Sequence, residues 1–429
     1  EKLNLAMRVI LNYKIKTFGC RLNFYESEVI RKYADENKIK DTTFINSCAV
    51  TNKTVKDLKN KIKKLKKDEP ENKIVLTGCA AQIHTDEFRA IKNVDAIIGN
   101  REKLENTTYE RLQSQLGSKK YTNISNILED KKAQSPIIDK VKDKIRAFVQ
   151  IQNGCDHRCT FCIIPFGRGN SRSVNSDIII EQIKKLINKG YKEVVLTGVD
   201  LTSYGHDLEN YVSLGKLIKI IFKAVPTLKR LRLSSLDVAE MDEDLLDVIE
   251  NENRLLPHIH LSLQSGDNMI LKRMKRRHTR DNSIQLIKKL KSIRPDIVFG
   301  SDFIAGFPTE TDEMFMNTVK LIEECSITFL HIFPFSPREG TPAARMPQVP
   351  YEIIKKRAKI LRSLGEKKLI EYYENLTSKK VSVIVESKNR GRTDTFAKIS
   401  ISDEYKNGDL LNMTITGYNS FGLTGEVVV

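Results

Sequence analysis

Three cysteines stand close together in the sequence, at Cys155, Cys159 and Cys162. Thiolates are the soft ligands that select zinc or an iron–sulfur cluster, and this spacing lets one loop wrap a single metal centre. A structural zinc site is closed by four protein ligands, but neither His157 inside the loop nor the distant Cys325 completes such a set. The spacing therefore favours a cubane cluster with one iron open to another molecule. An incomplete zinc site and a chance arrangement are the alternatives, and Cys325 is interpreted as structural.

Three further cysteines, Cys20, Cys48 and Cys79, each come directly after a strand-like segment near the start of the sequence. In an open α/β sheet, ligands bind outside the carboxyl ends of the strands, so cysteines at three such ends can converge on one point. Free cysteine is often simply buried, which explains one such residue more easily than three in register. No fourth ligand is evident here either. The sequence therefore predicts a second open cluster.

The segment that carries these three cysteines alternates between strand-like and helix-like patterns. The predicted strands span residues 13–18, 42–46, 73–76 and 95–98, and the predicted helices span 25–38 and 53–67. This alternation predicts an open α/β domain with a parallel sheet, which we assign to residues 13–115. Residues 116–144 are polar and lack a sustained period, so we interpret them as a linker.

The same alternation continues through residues 145–375, where six strand-like segments are separated by helical patterns. The predicted strands are 146–151, 193–197, 229–233, 258–263, 297–303 and 328–333, and the clearest helices are 176–188 (with Ser176 as N-cap), 282–293 and 312–325. Six β/α units in sequence predict a partial (β/α)6 barrel. Folds of this kind place their chemistry on the loops that follow the strands, and Cys155, Cys159 and Cys162 lie on the first of these loops.

The end of the chain changes character after a long Lys-rich helix that begins at Pro350 and runs to about residue 373. Short strands are predicted at residues 380–386, 395–401, 410–418 and 425–429, with glycines and Asn407-Gly408 between them. Short strands at this density predict a small β-barrel, which we assign to residues 376–429.

The composition fits a protein of two or three globular domains, since the chain has 429 residues with 40% hydrophobic and 30% charged content. We find neither an apolar run long enough to span a membrane nor a signal peptide. Seven cysteines without a secretory signal indicate reduced thiols and a cytoplasmic location. The net charge of +17 fits a polyanionic partner, although a Lys-rich proteome would give the same value.

The motifs around both triads resemble those of the radical SAM methylthiotransferase family, and the match spans almost the whole sequence. Residues 17–23 (TFGCRLN), 46–51 (NSCAVT) and 77–82 (TGCAAQ) resemble the family's amino-terminal domain, and Gly154 to Pro165 with Arg168-Gly169 and Ser171-Arg172-Ser173 resemble its radical SAM loop. The last segment resembles the TRAM domain, an RNA-binding β-barrel. The resemblance implies two 4Fe–4S clusters, an auxiliary one on Cys20, Cys48 and Cys79 and one on Cys155, Cys159 and Cys162 that binds S-adenosylmethionine (SAM).

Within this family, Gly19 to Asn23 and Cys48 to Thr51 look most like the branch that acts on threonylcarbamoyladenosine in tRNA. The branch that acts on isopentenyladenosine usually has Arg-Glu soon after the second cysteine, where this chain has Thr51-Asn52. The branch that modifies a small-subunit ribosomal protein usually has Gly in the place of Ala49. The resemblance thus implies a transferase that adds a methylthio group to carbon 2 of threonylcarbamoyladenosine beside the anticodon. The other two branches, and a zinc-stabilised RNA-binding protein, are the alternatives.

By the same resemblance, SAM bound to the open iron is cleaved to a 5′-deoxyadenosyl radical, with one electron from a donor of unknown identity. The residues expected near SAM lie after predicted barrel strands or beside the cluster: Phe161, Thr197, Gly198, Ser262, Gln264, Ile304 and Gly306. Arg276 or Arg277 is expected to meet the SAM carboxylate, because arginine binds carboxylates bidentately. Ordinary loops at the barrel mouth, and a solvated basic run, are the alternatives for these residues.

Two basic segments are candidates for binding tRNA; neither DNA nor a membrane is expected as a partner. The Lys-rich helix at residues 53–67 is more simply interpreted as a solvated face. The terminal barrel offers a basic set with Tyr418 and Phe421 available for base stacking. This set comprises Lys379, Lys380, Lys388, Arg390 and Arg392.

Overall fold

The computed structural model describes residues 12–49, 51–117, 120–142 and 144–428. The described residues divide into two compact units. The first holds the residues up to Ile138 together with Gly154–Asp156 and Ile163–Asn170, and the second holds Asp139–Asn153, His157–Cys162 and the residues from Ser171 onward. No helix of the described residues is both long and apolar enough to cross a membrane.

The first unit contains a five-stranded sheet in the order β1-β2-β3-β4-β5, and every pair in it is parallel. Its strands are β1 (Tyr13–Thr17), β2 (Thr42–Ser47), β3 (Lys73–Gly78), β4 (Ala96–Ile98) and β5 (Tyr121–Asn123). Its helices are α1 (Arg21–Glu36), α2 (Asn52–Asp68), α3 (Cys79–Ile83), α4 (Thr85–Arg89), α5 (Asn106–Gln115) and α6 (Ile164–Arg168). The predicted open α/β architecture is confirmed.

Both faces of this sheet are covered, as expected for parallel strands. Because successive side chains point to opposite faces, Phe44 and Val75 pack with α1 and α5, while Ile45 and Leu76 pack with α2. The lysines of α2 leave an apolar stripe of Val55, Leu58, Ile62 and Leu65 to be buried, which agrees with its interpretation as a helix with one solvated face.

Two sequence predictions need correction in this unit. Residues 116–144 are not only a linker, because Tyr121–Asn123 pairs with Ala96–Ile98 as the edge strand of the sheet. A three-residue strand of Tyr, Thr and Asn is too short and too polar to show a period. In addition, α1 begins at Arg21, directly after Cys20, and not at Tyr25, since Leu22 and Asn23 are already buried in its first turn.

The second unit contains two three-stranded parallel sheets, β10-β9-β6 and β11-β12-β13, which isolated parallel bridges connect at Leu231–Leu255 and Leu236–Leu261. These six strands are the predicted partial barrel; β7 and β8 form a separate antiparallel pair. The strands are β6 (Arg146–Gln150), β7 (Gln152–Asn153), β8 (Arg172–Ser173), β9 (Glu193–Thr197), β10 (Arg230–Leu233), β11 (His258–Gln264), β12 (Val298–Ala305) and β13 (Phe329–Pro334).

Seven helices of the described residues accompany these strands. They are α7 (Ser176–Asn188), α8 (Leu214–Ala224), α9 (Glu243–Asn251), α10 (Asn268–Arg273), α11 (Arg280–Ile293), α12 (Asp312–Glu324) and α13 (Tyr351–Leu376). The bounds of α7 match the prediction, but its cap is Asn175, whose side chain accepts a hydrogen bond from the backbone N–H of Asp177, while Ser176 is the first helical residue.

The terminal strands close into a barrel in the order β14-β15-β16-β18-β17, as predicted for a TRAM-like domain. They are β14 (Lys380–Ser387), β15 (Arg390–Thr393), β16 (Lys398–Ser400), β17 (Leu410–Asn419) and β18 (Gly422–Val427). The strand predicted at residues 395–401 begins too early, because a turn that contains Phe396, with φ +76°, separates β15 from β16, and β16 begins only at Lys398. Residue 429, the end of the last predicted strand, lies outside the described residues.

Phe396 occupies the join between the terminal barrel and the strands of the partial barrel. Its ring stacks on His258 with 4.8 Å between centroids, and the guanidinium groups of Arg146, Arg232 and Arg392 lie 4.4–5.3 Å from its centroid. Such contacts combine apolar burial with a cation–π attraction. Phe396, which lies in the turn before β16, therefore stabilises the terminal barrel against the strands of the partial barrel.

Beneath this ring, Glu193 is fully buried and pairs with the Nε atoms of Arg230 at 2.8 Å and Arg232 at 2.7 Å. Arg232 also donates to the carbonyls of Thr393 and Asp394 in the terminal barrel, each at 2.7 Å. Burial alone raises the pKa of the Glu193 carboxyl, but the arginines outweigh it and lower that pKa from 4.5 to about 2.

Replacing Glu193 with Gln should lower the free energy of unfolding by about 3–5 kcal/mol, because it leaves buried guanidinium groups without their counter-charge. Since the folded-state pKa is depressed, the wild-type advantage is present above the unfolded-state pKa and is lost as the pH falls toward about 2. Chemical unfolding of both proteins between neutral and acidic pH measures this. The exposed Glu209, replaced with Gln, is the matched control, and equal losses in the two variants would contradict the role of Glu193.

Candidate active site: two cysteine triads

The first triad lies at one edge of the parallel sheet in the first unit. Ser47 and Gly78 are paired residues of neighbouring strands, so Cys48 and Cys79 leave the sheet side by side. The turn before Cys20 lies against the second cysteine, since a Cβ on Gly19 would stand 2.7 Å from the Cβ of Cys48 and 2.9 Å from its Sγ. The structure thus places these cysteines at the carboxyl ends of three adjacent strands. Their role as metal ligands stays a prediction.

Buried amides fix the turn that carries Cys20. The Asn23 side chain donates to the carbonyls of Phe18 at 2.5 Å and Ser47 at 3.1 Å. Asn46, which is also buried, donates to the carbonyl of Asn23 at 2.9 Å. These bonds join the first turn of α1 to the end of β2, so the spacing between Cys20 and Cys48 is set by hydrogen bonds within the fold.

A buried charge network stands beside this triad, and the sequence analysis did not find it. Arg168, which is 2% exposed, donates from Nη1 to Glu26 Oε1 at 2.7 Å and from Nη2 to Glu26 Oε2 at 3.2 Å. Its Nη2 also lies 3.9 Å from Cys20 Sγ. Lys103, which is fully buried, donates to Glu26 Oε2 at 2.5 Å. Burial alone raises the pKa of the Glu26 carboxyl, but Arg168 and Lys103 outweigh it, and the pKa is lowered overall.

The third cysteine is packed from two sides. Asn100 directs its amide toward Cys79 Sγ at 3.7 Å and also donates to the carbonyl of Gly167. A Cβ on Gly167 would lie 3.2 Å from the Cβ of Cys79, so α6 approaches the cysteine closely at a residue without a side chain. The site therefore combines three soft sulfur ligands with two buried cations and one carboxylate. This donor set fits an anionic metal–thiolate group, whose negative charge the cations offset.

The second triad lies on the loop after β6, whose residues the two units share. In the first unit, Cys155 donates its backbone N–H to Gly169 at 3.0 Å, and Gly154 has φ +76° with no room for a Cβ, which would lie 1.8 Å from the Asn170 carbonyl oxygen. In the second unit, Cys162 donates to the carbonyl of Cys159 at 3.0 Å. Backbone bonds therefore fix the conformation of the loop around each cysteine.

Arg276 lies beside one of these thiols within the second unit. It lies 3.6 Å from Cys159 Sγ and donates to Asp237 at 2.7 Å and to the carbonyl of Ser262 at 2.8 Å. Its Nε is buried and has no hydrogen-bond partner among the described residues. Burial opposes the charge, but Asp237 and Cys159 outweigh it and raise the pKa of Arg276. The thiols and the guanidinium again fit an anionic cluster.

Arg277 contacts a different group of charged side chains from Arg276. It is half-exposed and pairs with Glu240 at 2.6 Å. His157, inside the cysteine loop, lies 2.9 Å from Asp200, and hydrogen bonds to Asp200 and Glu240 raise the pKa of this imidazole to about 10, although burial and Arg277 oppose the shift. Of the two arginines considered from the sequence, only Arg276 has a spare buried donor beside a cysteine.

The other residues predicted near SAM lie at strand ends, and the structure brings some of them together. Ser262 contacts Arg276, as described above. Gly198 follows Thr197 and packs on Gln152, whose Oε1 accepts the backbone N–H of Val199 and of Asp200, each at 2.9 Å. The sequence analysis missed Gln152, because it lies in a short strand with no distinctive pattern.

A second group of predicted SAM residues lies at the ends of β11 and β12. Gln264 has φ +68° where the register of β11 shifts. Gly306 donates its N–H to Glu310 at 2.9 Å. Ile304 packs in one apolar cluster with Phe307, and Phe161 borders the same cluster. The role of these positions as SAM contacts stays a prediction.

The terminal barrel exposes most of the basic residues predicted to bind RNA. Lys379, Lys380, Lys388 and Arg390 are exposed, and Phe421 is 74% exposed. Arg392 is different, because it packs on Phe396 and pairs with Glu386 at 3.0 Å. Its guanidinium contacts the domain join, so it is less available to RNA than the other four basic residues, and its contact with RNA stays a prediction.

One more group of potential metal ligands lies across β11, β12 and β13. The Asp302 carboxylate lies 3.0 Å from His260 Nε2 and 3.1 Å from His331 Nδ1, and the hydrogen bonds to the two rings lower its pKa although burial opposes the shift. The three side chains satisfy one another across neighbouring strands. We therefore regard this group as a hydrogen-bonded cluster of the barrel.

Comparison with known proteins identifies the family. The radical SAM superfamily matches residues 149–322, and a family described as "Uncharacterized protein family UPF0004" matches residues 12–99. The threonylcarbamoyladenosine tRNA methylthiotransferase MtaB of Rickettsia prowazekii is 46% identical over 414 residues, which cover 96% of this chain and 97% of that protein. The chain belongs to the radical SAM methylthiotransferase family.

Two more distant proteins also resemble this chain, one in sequence and one in structure. A tRNA-2-methylthio-N(6)-dimethylallyladenosine synthase of Neorickettsia sennetsu is 30% identical over 461 residues, with 100% of this chain and 96% of that protein covered. The structure of the radical SAM methyltransferase TsrM from Kitasatospora setae matches with a TM-score of 0.56, 13% identity and coverage of 78% of this chain and 75% of that chain. At that identity the likeness shows the fold alone.

Within this methylthiotransferase, replacing Gly19 with Ala should reduce the metal retained at the first triad, since the new Cβ would displace Cys48. Gly117 is the matched control, because it has a similar φ of +101° against +98° but meets only the Lys73 side chain, at 3.8 Å or more. Both variants bear the backbone cost of a left-handed alanine. Elemental analysis of the purified proteins measures the difference, and equal metal content in the two variants would count against crowding at Cys48.

Proposed function

We propose that this enzyme is a tRNA methylthiotransferase that acts on carbon 2 of N6-threonylcarbamoyladenosine beside the anticodon. The observation that carries the proposal is the 46% identity to the R. prowazekii MtaB over almost the full length of both proteins, against 30–32% to four dimethylallyladenosine synthases. Such a difference across whole chains favours the threonylcarbamoyl substrate. The isopentenyl substrate and a ribosomal protein are the competing possibilities.

In this proposal Cys20, Cys48 and Cys79 hold an auxiliary 4Fe–4S cluster, and Cys155, Cys159 and Cys162 hold the radical SAM cluster. When bound, these clusters and SAM supply the electron transfer, the radical and the sulfur and methyl carriers. The protein supplies ligands, counter-charge and exclusion of water. Buried cations beside Cys20 and Cys159 support two anionic groups, because thiolate-bound clusters gain from nearby positive charge in a low-dielectric interior.

Arg276 is the residue that we assign to the SAM carboxylate. Its buried Nε is a donor without a partner among the described residues, and buried donors are rarely left unsatisfied. A guanidinium that has one unpaired buried N–H beside the cluster loop is suited to a carboxylate. Arg277 is less suited, since its exposed guanidinium already pairs with Glu240. The other SAM contacts proposed are Phe161, Thr197, Gly198, Ser262, Gln264, Ile304 and Gly306.

The tRNA is proposed to contact the terminal barrel through Lys379, Lys380, Lys388 and Arg390, and Phe421 is exposed for base stacking. A radical SAM reaction also needs one electron, from a donor of unknown identity. Because the proposed substrate is a tRNA, we also propose a cytoplasmic location. We do not expect DNA or a membrane as a partner.

The two triads should separate by function. Replacing Cys155, Cys159 or Cys162 with Ala should abolish 5′-deoxyadenosine production and leave about four irons per chain of the about eight expected for two clusters. Replacing Cys20, Cys48 or Cys79 should leave SAM cleavage but stop methylthio transfer. Anaerobic reconstitution, iron analysis and chromatography of the products measure these effects. Stoichiometric zinc in a colourless protein that accepts no iron would instead support the zinc-stabilised RNA-binding protein.

The choice of substrate is tested with two tRNAs, one bearing threonylcarbamoyladenosine and the other isopentenyladenosine. A site that pairs with the threonyl carboxylate leaves that group unpaired when the substrate has an apolar tail, so turnover should favour the first tRNA by at least about a hundredfold. Mass analysis of the nucleosides measures the product. Product on the isopentenyl tRNA alone would move the enzyme to that branch. Turnover of a ribosomal protein, with none on either tRNA, would reject the RNA substrate.

A further inference from the structure

More charged side chains are buried beside the first triad than are needed to hold three cysteines in place. Arg168 and Glu26 are 2% and 0% exposed, and Lys103 is 0% exposed. Taking such groups out of water costs several kcal/mol for each ion, and well-packed apolar residues would fill the same space more cheaply. A network of this kind is therefore expected to have a purpose besides stability.

The hydrogen bonds favour the charged form of both basic side chains, although burial lowers the pKa of Lys103. Lys103 Nζ donates to Glu26 at 2.5 Å, Asn100 at 2.6 Å and Asn46 at 3.3 Å, so its three acceptors match the three N–H groups of an ammonium. Arg168 has no accessible neutral form. Two positive charges and one negative charge are thus enclosed together, and the excess is positive.

The two cations lie near different cysteines of the triad, Arg168 directly and Lys103 through an intervening amide. Arg168 Nη2 lies 3.9 Å from Cys20 Sγ. Lys103 acts through Asn100, whose Oδ1 accepts from the lysine at 2.6 Å while its Nδ2 lies 3.7 Å from Cys79 Sγ. Positive charge therefore lies near both Cys20 and Cys79. Glu26 pairs with both cations, and its negative charge partly offsets theirs.

We propose that Arg168 is a positioning residue that sets the reduction potential of the auxiliary cluster, with Lys103 acting in the same direction and Glu26 in the opposite one. This inference rests on the proposed function, which places that cluster on Cys20, Cys48 and Cys79. Reduction adds one electron from an external reductant and makes the cluster more negative. Fixed positive charge close to the ligands stabilises the reduced form and raises the potential.

Arg168 also has a place in the sequence that fits this role. It ends α6, six residues after Cys162 of the other triad. The segment that follows the radical SAM cysteines thus supplies the counter-charge of the auxiliary cysteines. Gly167, the residue before it, lets the same helix approach Cys79. The short helix α6 therefore contributes twice to the auxiliary site: Gly167 allows its close approach to Cys79, and Arg168 supplies positive charge.

The test measures the midpoint potential of the auxiliary cluster alone, in full-length protein whose Cys155, Cys159 and Cys162 are replaced with Ala. After anaerobic reconstitution with iron and sulfide, the potential is followed by electron paramagnetic resonance in a dithionite titration. In this background, Arg168→Gln should lower the ratio of reduced to oxidised cluster at least tenfold at a fixed potential, equivalent to about 59 mV for a one-electron couple. Glu26→Gln should shift the ratio in the opposite direction.

Two controls separate charge from structure. Arg101→Gln removes a cation from an exposed pair with Glu105 in the same unit and should leave the potential unchanged. Arg168→Lys keeps the charge and should restore most of the wild-type value, whereas a purely structural role predicts that both Arg168 variants fail alike. A loss of fold in Arg168→Gln would be visible in its iron content and circular dichroism, and Glu26→Gln then decides.

The outcomes are distinct. Opposite shifts in Arg168→Gln and Glu26→Gln, each with about four irons per chain, support the inference. Iron-loaded Glu26→Gln with an unchanged potential overturns it and leaves the proposed function standing. A parent protein that binds no iron at Cys20, Cys48 and Cys79 overturns the proposed auxiliary cluster itself, and with it the function.

Discussion

The ion pair between Arg168 and Glu26 is the constraint around which the first unit is built. Glu26 lies on α1, directly after the turn that carries Cys20, and Arg168 ends α6, which lies against Cys79. A buried pair of this kind tolerates little displacement, because any loss of contact leaves an unpaired charge in a low-dielectric interior. The pair thereby fixes two of the three cysteines relative to each other, and the register of β2 and β3 fixes the third.

In the second unit, buried charged side chains lie at the amino ends of the strands. Arg146, Glu193 and Arg230 are the first residues of β6, β9 and β10, and they join the terminal barrel through Phe396 and its neighbours. The cysteine loop and the candidate SAM residues follow the carboxyl ends of the strands. This division agrees with the general behaviour of β/α barrels, in which one end of the strands serves stability and the other serves chemistry.

The sequence predicted those features that depend on local pattern. Strand-end cysteines, alternating β/α segments and a final run of short strands each leave a signature within a few residues. The charge network leaves none, because Glu26 lies 77 residues from Lys103 and 142 from Arg168. The edge strand at 121–123 and the turn at Phe396 were missed for a related reason, since pairing partners and tertiary packing override weak local preference. Arg392 shows the same effect, because its basic character did not reveal that it packs on an aromatic ring.

The similarity to TsrM shows how little the fold decides about the reaction. A TM-score of 0.56 at 13% identity describes a shared framework, and a shared framework hosts different chemistry when the residues at the strand ends differ. In this chain the first triad is supported by a glycine that admits Cys48, amides that fix Cys20, and cations that lie beside the thiols. Each is a side-chain choice on a framework that many proteins share. The proposed function therefore depends on side chains at this edge of the sheet, which the shared architecture does not specify.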